Sequence, residues 1–313
     1  MNYGYSPLAR WYNASLAVFI VLLLAGASAV AAAAPQATQA QADAAAELLA
    51  NGSAEVRPTL ADVDYLPNHD YADEKDRLDV YLPEAVERAP VVVFFHGGGL
   101  LSGDKRHGRN LAARLLPFGI GLVSANYRLS PGVMHPAHIQ DAAAATAWVI
   151  GNIDKLGGDS ANVFVTGHSA GAYLAALLVL DSRYLEAYDV AVSAVRAAMP
   201  ISPFLYVEET AKVRPKSVWG NDSEVWRQAS VSPYVSAAAP PMLLIYADGD
   251  DAWRREQNER FGRAMRASGH DAVAVQEVSN RDHLRLMTEL THDDDAVGPL
   301  VADFVRQHVS QPD

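Results

Sequence analysis

The sequence predicts an α/β fold with a mostly parallel central sheet and helices on both of its faces. Short strand-like segments alternate along the chain with longer segments whose apolar residues have helical spacing. Several of the strand-like segments are apolar throughout, which is typical of strands that are buried on both faces. Parallel strands need long crossover connections, and the helical segments between them supply these connections.

The predicted elements follow one another from about residue 58. Residues 77–82 alternate polar and apolar side chains, which predicts an early strand with one face in solvent. The other predicted strands are residues 91–95, 119–127, 163–166, 197–201, 242–246 and 272–278. The predicted helices are residues 108–116, 140–153, 172–180, 254–268 and 296–309. Residues 205–240 interrupt the alternation with three prolines and two tryptophans, and we expect them to form a short inserted cap of loops and helices over the site.

The composition narrows the class of protein. The chain has 313 residues, half of them hydrophobic, which is enough for one large core. Its formal net charge of −12 argues against a nucleic-acid partner, because the phosphates would be repelled. The absence of cysteine excludes disulfides, catalytic thiolates and thiolate-bound metals.

The N-terminal part of the chain is interpreted separately from the domain. Residues 1–34 hold a short head with Arg10, an apolar stretch over residues 16–34, and small residues at 27–29 and 32–34 that suit cleavage by signal peptidase. The sequence therefore predicts an exported protein, periplasmic or secreted. An uncleaved membrane anchor over residues 14–34 is the main alternative, and a buried core helix is a third. Residues 35–57 are interpreted as a linker and residues 58–313 as the catalytic domain.

The candidate nucleophile is Ser169, which lies in the segment Gly-His-Ser-Ala-Gly at residues 167–171. The segment follows a predicted buried strand and precedes a predicted helix. A tight turn in that setting lifts the serine hydroxyl above the edge of the sheet, and larger residues in place of the two glycines would collide with neighbouring backbone. The start of the helix also favours a developing negative charge.

A second glycine-rich segment, His-Gly-Gly-Gly at residues 96–99, follows the strand predicted at residues 91–95. Glycines allow backbone N–H groups to approach a substrate oxygen, so these groups and the N–H of Ala170 are predicted to form an oxyanion hole. A flexible turn and a phosphate-binding loop are the alternatives. The phosphate loop is disfavoured because no Lys-Ser/Thr pair follows at the required spacing.

Three carboxylates follow the strand predicted at residues 242–246, namely Asp248, Asp250 and Asp251. Asp250 is the predicted catalytic acid, because the chain must turn at Gly249 before a side chain can face a histidine. Asp251 is expected to cap the next helix. The other two aspartates remain alternatives for the acid, and a merely solvated turn is the alternative to any catalytic role.

His283 is the predicted catalytic base among ten histidines, since it follows the last predicted strand and completes the chain order Ser, Asp, His. His96 and His168 are expected to brace loops through hydrogen bonds. His292 precedes three aspartates, but acidic residues ahead of a helix are usually caps, so no metal site is predicted there. The predicted chemistry requires no cofactor and no metal.

The chain resembles the esterase/lipase group of the α/β-hydrolase fold, which includes hormone-sensitive-lipase-like esterases, feruloyl-esterase-like domains and kynurenine formamidase. The similar segments are residues 96–99, Gly-Asp-Lys at 103–105, Asn-Tyr-Arg-Leu-Ser-Pro at 126–131, Asp141 and residues 167–171. The resemblance implies that Gly98 and Gly99 are the first donors of the oxyanion hole. It also implies Asp250 and His283 as acid and base.

Three positions depart from the lipase-like pattern. Asn126 stands where an acidic residue is usual, Gly132 replaces a glutamate, and Leu100 replaces an aromatic residue. None of these changes affects the predicted triad, but they weaken the transfer of a particular substrate from one branch of the group.

The function expected from these features is the hydrolysis of small to medium acyl esters by a serine carboxylesterase, with a small-molecule ester as its partner. An amidase or arylformamidase with the same triad is the first alternative, a peptidase is a weaker one, and a non-catalytic binding protein is the alternative of another class. Trp219, Trp226 and Trp253 are candidates to line the substrate pocket, although aromatic residues more often only pack.

Overall fold

An eight-stranded sheet runs through the computed structural model, which describes residues 56–66, 73–84, 86–214 and 216–310. The strands are β1 Leu60–Asp64, β2 Arg77–Tyr81, β3 Ala89–Phe95, β4 Gly121–Ala125, β5 Gly158–His168, β6 Val195–Ile201, β7 Met242–Ala247 and β8 Val273–Val278. Their order in the sheet is β1-β2-β4-β3-β5-β6-β7-β8. Only β2 pairs antiparallel with its neighbours, and all pairs from β4 to β8 are parallel. The α/β-hydrolase fold predicted from the sequence is thereby confirmed.

Helices cover both faces of the sheet. They are α1 Arg109–Leu115, α2 Ala137–Asn152, α3 Ala170–Leu180, α4 Arg183–Glu186, α5 Val207–Thr210, α6 Lys216–Trp219, α7 Ser223–Ala229, α8 Ala252–Ala267, α9 Arg285–Thr288 and α10 Val297–His308. Short 3-10 helices span Lys105–Gly108, Leu116–Phe118, Ile153–Leu156, Val192–Ala194, Ala211–Val213 and Ser232–Tyr234. Residues 205–240 form the predicted insertion, which consists of α5, α6, α7 and two of the 3-10 helices.

The two sides of the sheet have separate hydrophobic cores. Side chains alternate along β3, so that Val91 and Val93 face one core while Val92 and Phe94 face the other. The first core is completed by α2, α3 and α8, and the second by α1, α9 and α10. Burial on both faces explains why β3 reads as a continuous apolar run.

The structure corrects the interpretation of the early strand. Residues 77–82 were expected to leave one face in solvent, but Leu78 to Tyr81 are all buried. Asp79, on the polar face, is 2% exposed because the ammonium group of Lys105 lies 2.6 Å from its carboxylate. Buried charges in proteins are normally paired in this way. The edge strand β1 was not predicted, since Leu60–Asp64 has mostly exposed side chains and little apolar pattern.

The expectations for the N-terminal segment lie outside the described residues. Residues 1–34, predicted as a signal peptide or anchor, and nearly all of the predicted linker at 35–57 belong to that part of the chain. Within the residues that the structure does describe, no helix combines the length and apolar character needed to cross a bilayer.

Two glycines in helix interiors allow a matched test of the packing. A Cβ on Gly262 in α8 would lie 2.3 Å from a methyl group of Val275 on β8, whereas a Cβ on Gly151 in α2 meets nothing within 4 Å. We expect Gly262→Ala to destabilise the fold by about 1–3 kcal/mol through overpacking. Gly151→Ala should stabilise it by up to about 1 kcal/mol, because alanine favours the helix. Urea unfolding of the two variants checks this, and equal effects of the same sign would contradict it.

Candidate active site

Ser169 lies in a sharp turn between β5 and α3. Its backbone φ is +54°, which is strained for a residue with a side chain, and its N–H donates to the carbonyl of Ile201 at 2.9 Å. The glycines two residues before and after it are required, because a side chain at either position would collide with neighbouring backbone. A Cβ on Gly167 would lie 2.4 Å from the backbone carbon of Gly171, and one on Gly171 would lie 1.9 Å from the carbonyl oxygen of Phe95. The strand–turn–helix setting expected from the sequence is therefore present.

Asp250 and His283 meet at the same edge of the sheet. Asp250 follows β7, and its Oδ1 lies 2.7 Å from Nδ1 of His283, on the loop after β8. The other carboxylate oxygen accepts from the Ala247 N–H at 2.9 Å and from the Ser202 hydroxyl at 2.7 Å. These bonds leave the carboxylate a single orientation, directed at the imidazole.

The other two aspartates of this turn face elsewhere. Asp248 accepts from the N–H groups of Asn280 and Arg281, at 2.9 and 3.2 Å. Asp251 begins α8 as expected, but its carboxylate accepts from the Trp253 indole at 3.2 Å and makes no side-chain cap bond to the helix backbone. The side-chain cap expected of Asp251 is thus wrong, because its carboxylate binds the Trp253 indole instead of the helix backbone. Of the three, Asp250 alone contacts His283.

Ser202 is a site residue that the sequence reasoning missed. It is the first residue after β6, has φ +54°, and its N–H donates to the carbonyl of Ile245 at 2.6 Å. Its hydroxyl donates to Asp250 and also lies 2.9 Å from Nδ1 of His283. No motif marks it, and the only available signal is its position at the carboxyl end of a parallel strand, where sites of this fold class gather.

Arg254 lies behind the acid and was also missed. This buried side chain donates from Nη1 to the carbonyl of Ser202 at 2.8 Å, and its Nε is 3.6 Å from Oδ1 of Asp250. It lies one helical turn after Asp250, so α8 brings it back beside the carboxylate. Its positive charge therefore acts on both members of the acid–base pair.

The environment of His283 favours its neutral form. Burial lowers the pKa of His283, the Arg254 charge lowers it further, and the Asp250 carboxylate opposes both. Burial alone would raise the pKa of Asp250, but the hydrogen bond from His283 and the charges of His283 and Arg254 hold it well below its usual range. At neutral pH the pair therefore consists of an ionised carboxylate and an imidazole that can accept a proton.

His168 braces the loop that carries the base, as expected from its place in the glycine motif. Its Nε2 donates to the backbone carbonyl of His283 at 2.8 Å, and the two rings lie 4.6 Å apart. Burial and the neighbouring His283 lower the pKa of His168 well below its usual value, so its ring is neutral. This contact ties the residue before Ser169 to the backbone of His283.

The second glycine-rich segment lies beside Ser169. A Cβ on Gly97 would be 3.5 Å from the Cβ of Ser169. Gly98 and Gly99 have φ of +107° and +67°, a region that suits glycine, and a Cβ on Gly98 would lie 2.1 Å from the carbonyl oxygen of Ser102. Within the described part of the chain, the N–H groups of these two glycines have no acceptor. The N–H of Ala170, the first residue of α3, also has no partner within its helix.

The segment at residues 126–131 holds the glycine run in place. The Tyr127 hydroxyl donates to the carbonyl of His96 at 2.8 Å, and the two rings are stacked 4.2 Å apart. The N–H of Ser130 donates to the carbonyl of Leu100 at 2.8 Å. Asn126, at one of the departures from the lipase-like pattern, accepts from the Lys105 N–H at 2.7 Å. This motif is therefore a support for the glycine run.

The histidine–aspartate segment near the C-terminus is a helix cap. Asp295 accepts from the N–H groups of Val297 and Gly298, at 2.8 and 3.1 Å, at the start of α10. Among the residues that the structure describes, no group of three or more His, Asp or Glu side chains is arranged to hold a metal ion.

The predicted site residues converge at the carboxyl ends of the parallel strands. The Ser169 turn follows β5, the glycine run follows β3, and the acid and base follow β7 and β8. The Ser169 hydroxyl makes no hydrogen bond to another described residue, and catalytic hydrogen bonds are often loose without a substrate. The arrangement brings a hydroxyl, a proton acceptor and backbone N–H donors together, and these are the groups that acyl transfer requires.

Comparisons with known proteins identify the family of the chain and several similar enzymes. The BD-FAE family model matches residues 78–265. Esterase LipQ of Mycobacterium tuberculosis is 33% identical over 216 residues, which are 63% of this chain and 50% of that protein. Kynurenine formamidase of Danio rerio is 29% identical over 245 residues, covering 75% of this chain and 78% of that protein.

The likeness extends to solved structures. Esterase B from Lactobacillus rhamnosis has a TM-score of 0.72 at 21% identity, over 87% of this chain and 92% of that one, which supports the fold. The chain spans about half the length of LipQ and of the related mycobacterial esterase LipC. With the family model matched over more than half of its length, the chain belongs to the BD-FAE family, within the α/β-hydrolase esterase/lipase superfamily.

Proposed function

We propose that the protein is a serine carboxylesterase in which Ser169 is the nucleophile, His283 the general base and Asp250 the acid. The observation that carries the proposal is the 2.7 Å contact between Asp250 and His283, at the sheet edge where Ser169 occupies its strained turn. Esterases among the relatives, LipQ and LipC, support ester hydrolysis as the reaction. A small-molecule ester is the proposed substrate.

In the first half of the proposed reaction, Ser169 is acylated. Because Nδ1 of His283 faces the Asp250 carboxylate, that nitrogen carries the proton and Nε2 is free to accept another. Nε2 takes the proton of the Ser169 hydroxyl as its oxygen attacks the carbonyl carbon of the ester. The protonated imidazole then donates to the departing alcohol, leaving an acyl-enzyme.

Water completes the second half of the reaction. His283 removes a proton from the water molecule that attacks the acyl group, and returns it to Ser169 as the carboxylic acid leaves. In both halves a negative charge develops on the carbonyl oxygen. The N–H groups of Gly98, Gly99 and Ala170 are the proposed donors to it, and one such donor is worth about 3–4 kcal/mol of transition-state stabilisation.

Ser169→Ala tests the nucleophile. We expect kcat/KM for p-nitrophenyl acetate and butyrate to fall by about 10⁴-fold or more, because no acyl-enzyme can form. Hydrolysis by the unaltered protein should decrease from acetate through butyrate to decanoate, since charged residues in the insertion disfavour a long chain. A folded Ser169→Ala protein that keeps a tenth of the activity would exclude this serine as the nucleophile.

The pH profile tests the base. Since only neutral His283 can accept the proton, kcat/KM for a neutral ester should be low in acid and rise with pH as the imidazole loses its proton. The lowered pKa of His283 places this rise below the usual histidine value of about 6.5. Arg254→Gln removes a positive charge, so the rise should move to higher pH.

Arg254→Lys is the matched control for this shift, because it keeps the charge beside Asp250. Its rise should remain closer to that of the unaltered enzyme than the rise of Arg254→Gln does. A profile that moves to lower pH in the glutamine variant would contradict the proposed electrostatic role of Arg254.

A second candidate function is the hydrolysis of an activated amide, particularly an aryl formamide. The observation that favours it is the similarity to kynurenine formamidase of Danio rerio, which extends over three quarters of both chains. The same nucleophile, base and oxyanion donors would serve, since both reactions pass through a tetrahedral intermediate.

Formanilide and phenyl acetate distinguish the two candidates. We expect phenyl acetate to be hydrolysed with the higher kcat/KM, because phenolate is a better leaving group than the aniline nitrogen. Liquid chromatography of the released phenol and aniline measures both reactions, and Ser169→Ala controls for hydrolysis in the absence of enzyme catalysis. A higher kcat/KM on formanilide would replace the esterase proposal with the formamidase one.

A further inference from the structure

The inserted segment carries an arginine that has no acidic partner among the described residues. Arg214 lies between the 3-10 helix Ala211–Val213 and α6, with its guanidinium 4.3 Å from the centre of the Phe204 ring and 5.8 Å from that of Trp219. Its side chain forms no ion pair and no hydrogen bond with any other residue that the structure describes. Arg214 is half-buried, and the aromatic faces replace its lost hydration only in part.

Arg214 lies next to the proposed oxyanion hole. Its Nη1 is 3.4 Å from the position that a Cβ on Gly99 would occupy. The ring beneath it, Phe204, stacks on Tyr173 at 4.7 Å, and the N–H of Tyr173 donates to the carbonyl of Ser169. The guanidinium therefore lies beside the glycine run, and the rings of Phe204 and Tyr173 connect it to α3, the helix that begins directly after Ser169.

The electrostatics around Arg214 are unusual for the protein. Arginines elsewhere in the fold, such as Arg128 and Arg183, are held by buried aspartates. The charged neighbour of Arg214 is instead a second cation, Arg254, and burial together with that neighbour lowers the pKa of Arg214 to about 9. The chain as a whole has a net charge of −12. Arg254 is compensated by Asp250, so Arg214 is the cation of this region that a ligand carboxylate could pair with.

We propose that Arg214 binds an anionic group of the substrate, so that the preferred substrates are esters carrying a carboxylate a few bonds from the scissile carbonyl. This inference rests on the proposed esterase function and names its substrate class. A substrate carboxylate beside Arg214 would supply a charge partner, through charge-assisted hydrogen bonds to a planar fork of donors. The carboxylate can belong to the acyl or to the alcohol part of the ester.

The test compares esters of the same shape with and without a charge. Monoethyl glutarate and its uncharged half-amide, ethyl glutaramate, place the group on the acyl side. 4-Acetoxybenzoate and its uncharged match, 4-acetoxybenzamide, place the group on the alcohol side. With the full-length protein we expect kcat/KM to favour the anionic member of at least one pair by about tenfold or more. The pair that shows the preference identifies the side.

Arg214→Met should abolish this preference while leaving the neutral esters nearly unaffected. Methionine keeps much of the packing on Phe204 and Trp219, so the fold is expected to survive. We expect kcat/KM on the preferred anionic ester to fall about 10- to 100-fold, and less than about threefold on its neutral match. Arg214→Lys keeps a charge and should retain part of the preference.

Arg260→Met is the matched control. Arg260 also lies over an aromatic ring, at 3.7 Å from the centre of Tyr206, but it is paired with Glu209. Its substitution should leave the anionic-to-neutral ratio unchanged. Circular dichroism of each variant verifies that it is folded.

A measurement on the unaltered enzyme keeps the inference testable should Arg214→Met not fold. Glutarate should inhibit the hydrolysis of a neutral ester competitively, and at least tenfold more strongly than glutaramide.

Three outcomes overturn the inference. The first is no preference for the anion in either ester pair, and the second is equal inhibition by glutarate and glutaramide. The third is an equal loss on charged and neutral esters in Arg214→Met, which would instead make Arg214 a general stabiliser of the oxyanion. All three leave the proposed esterase function intact, because that depends on the Ser169→Ala result with neutral esters.

Discussion

The close approach of helix α3 to the end of strand β3 is the constraint on which the site depends. The two elements meet where Gly171 lies against the carbonyl of Phe95, at a distance that no side chain could share. This contact sets the height of Ser169 above the sheet and brings its turn against the glycine run that follows β3. The proposed donors and the proposed nucleophile are therefore positioned by one backbone contact, and the residues around it can vary only where they preserve that contact.

Much of the fold and of the candidate site could be predicted from the sequence, for identifiable reasons. The buried strands are apolar throughout, and glycines are required where backbones nearly touch, so both leave a clear pattern. The chain order of Ser169, Asp250 and His283 follows from the order of the strands that carry them. The edge strand β1 could not be found in this way, because a strand with mostly exposed side chains has no apolar pattern.

Ser202 and Arg254 could not be predicted for a different reason. Their roles come from distances between segments that are far apart in the chain, since the Ser202 hydroxyl meets an acid 48 residues later and a base 81 residues later. Asp79 illustrates the same limit, because partners from other segments, the Lys105 ammonium and the Asp62 N–H, allow a strand with a polar residue to be buried on both faces. The spacing of apolar residues shows which face of a segment is buried. It does not show which residue from a distant segment will contact that face.

The position of Ser202 also has a consequence for exchanging parts between related enzymes. Its hydroxyl contacts both Asp250 and His283, and two residues later the Phe204 ring lies beneath the guanidinium of Arg214. The proposed recognition residue and the proposed acid–base pair thus depend on the same short stretch of backbone. The insertion could be exchanged for that of a related enzyme only if the exchanged segment begins after Phe204. An exchange that begins closer to the end of β6 would also change the contacts of Ser202 with Asp250 and His283.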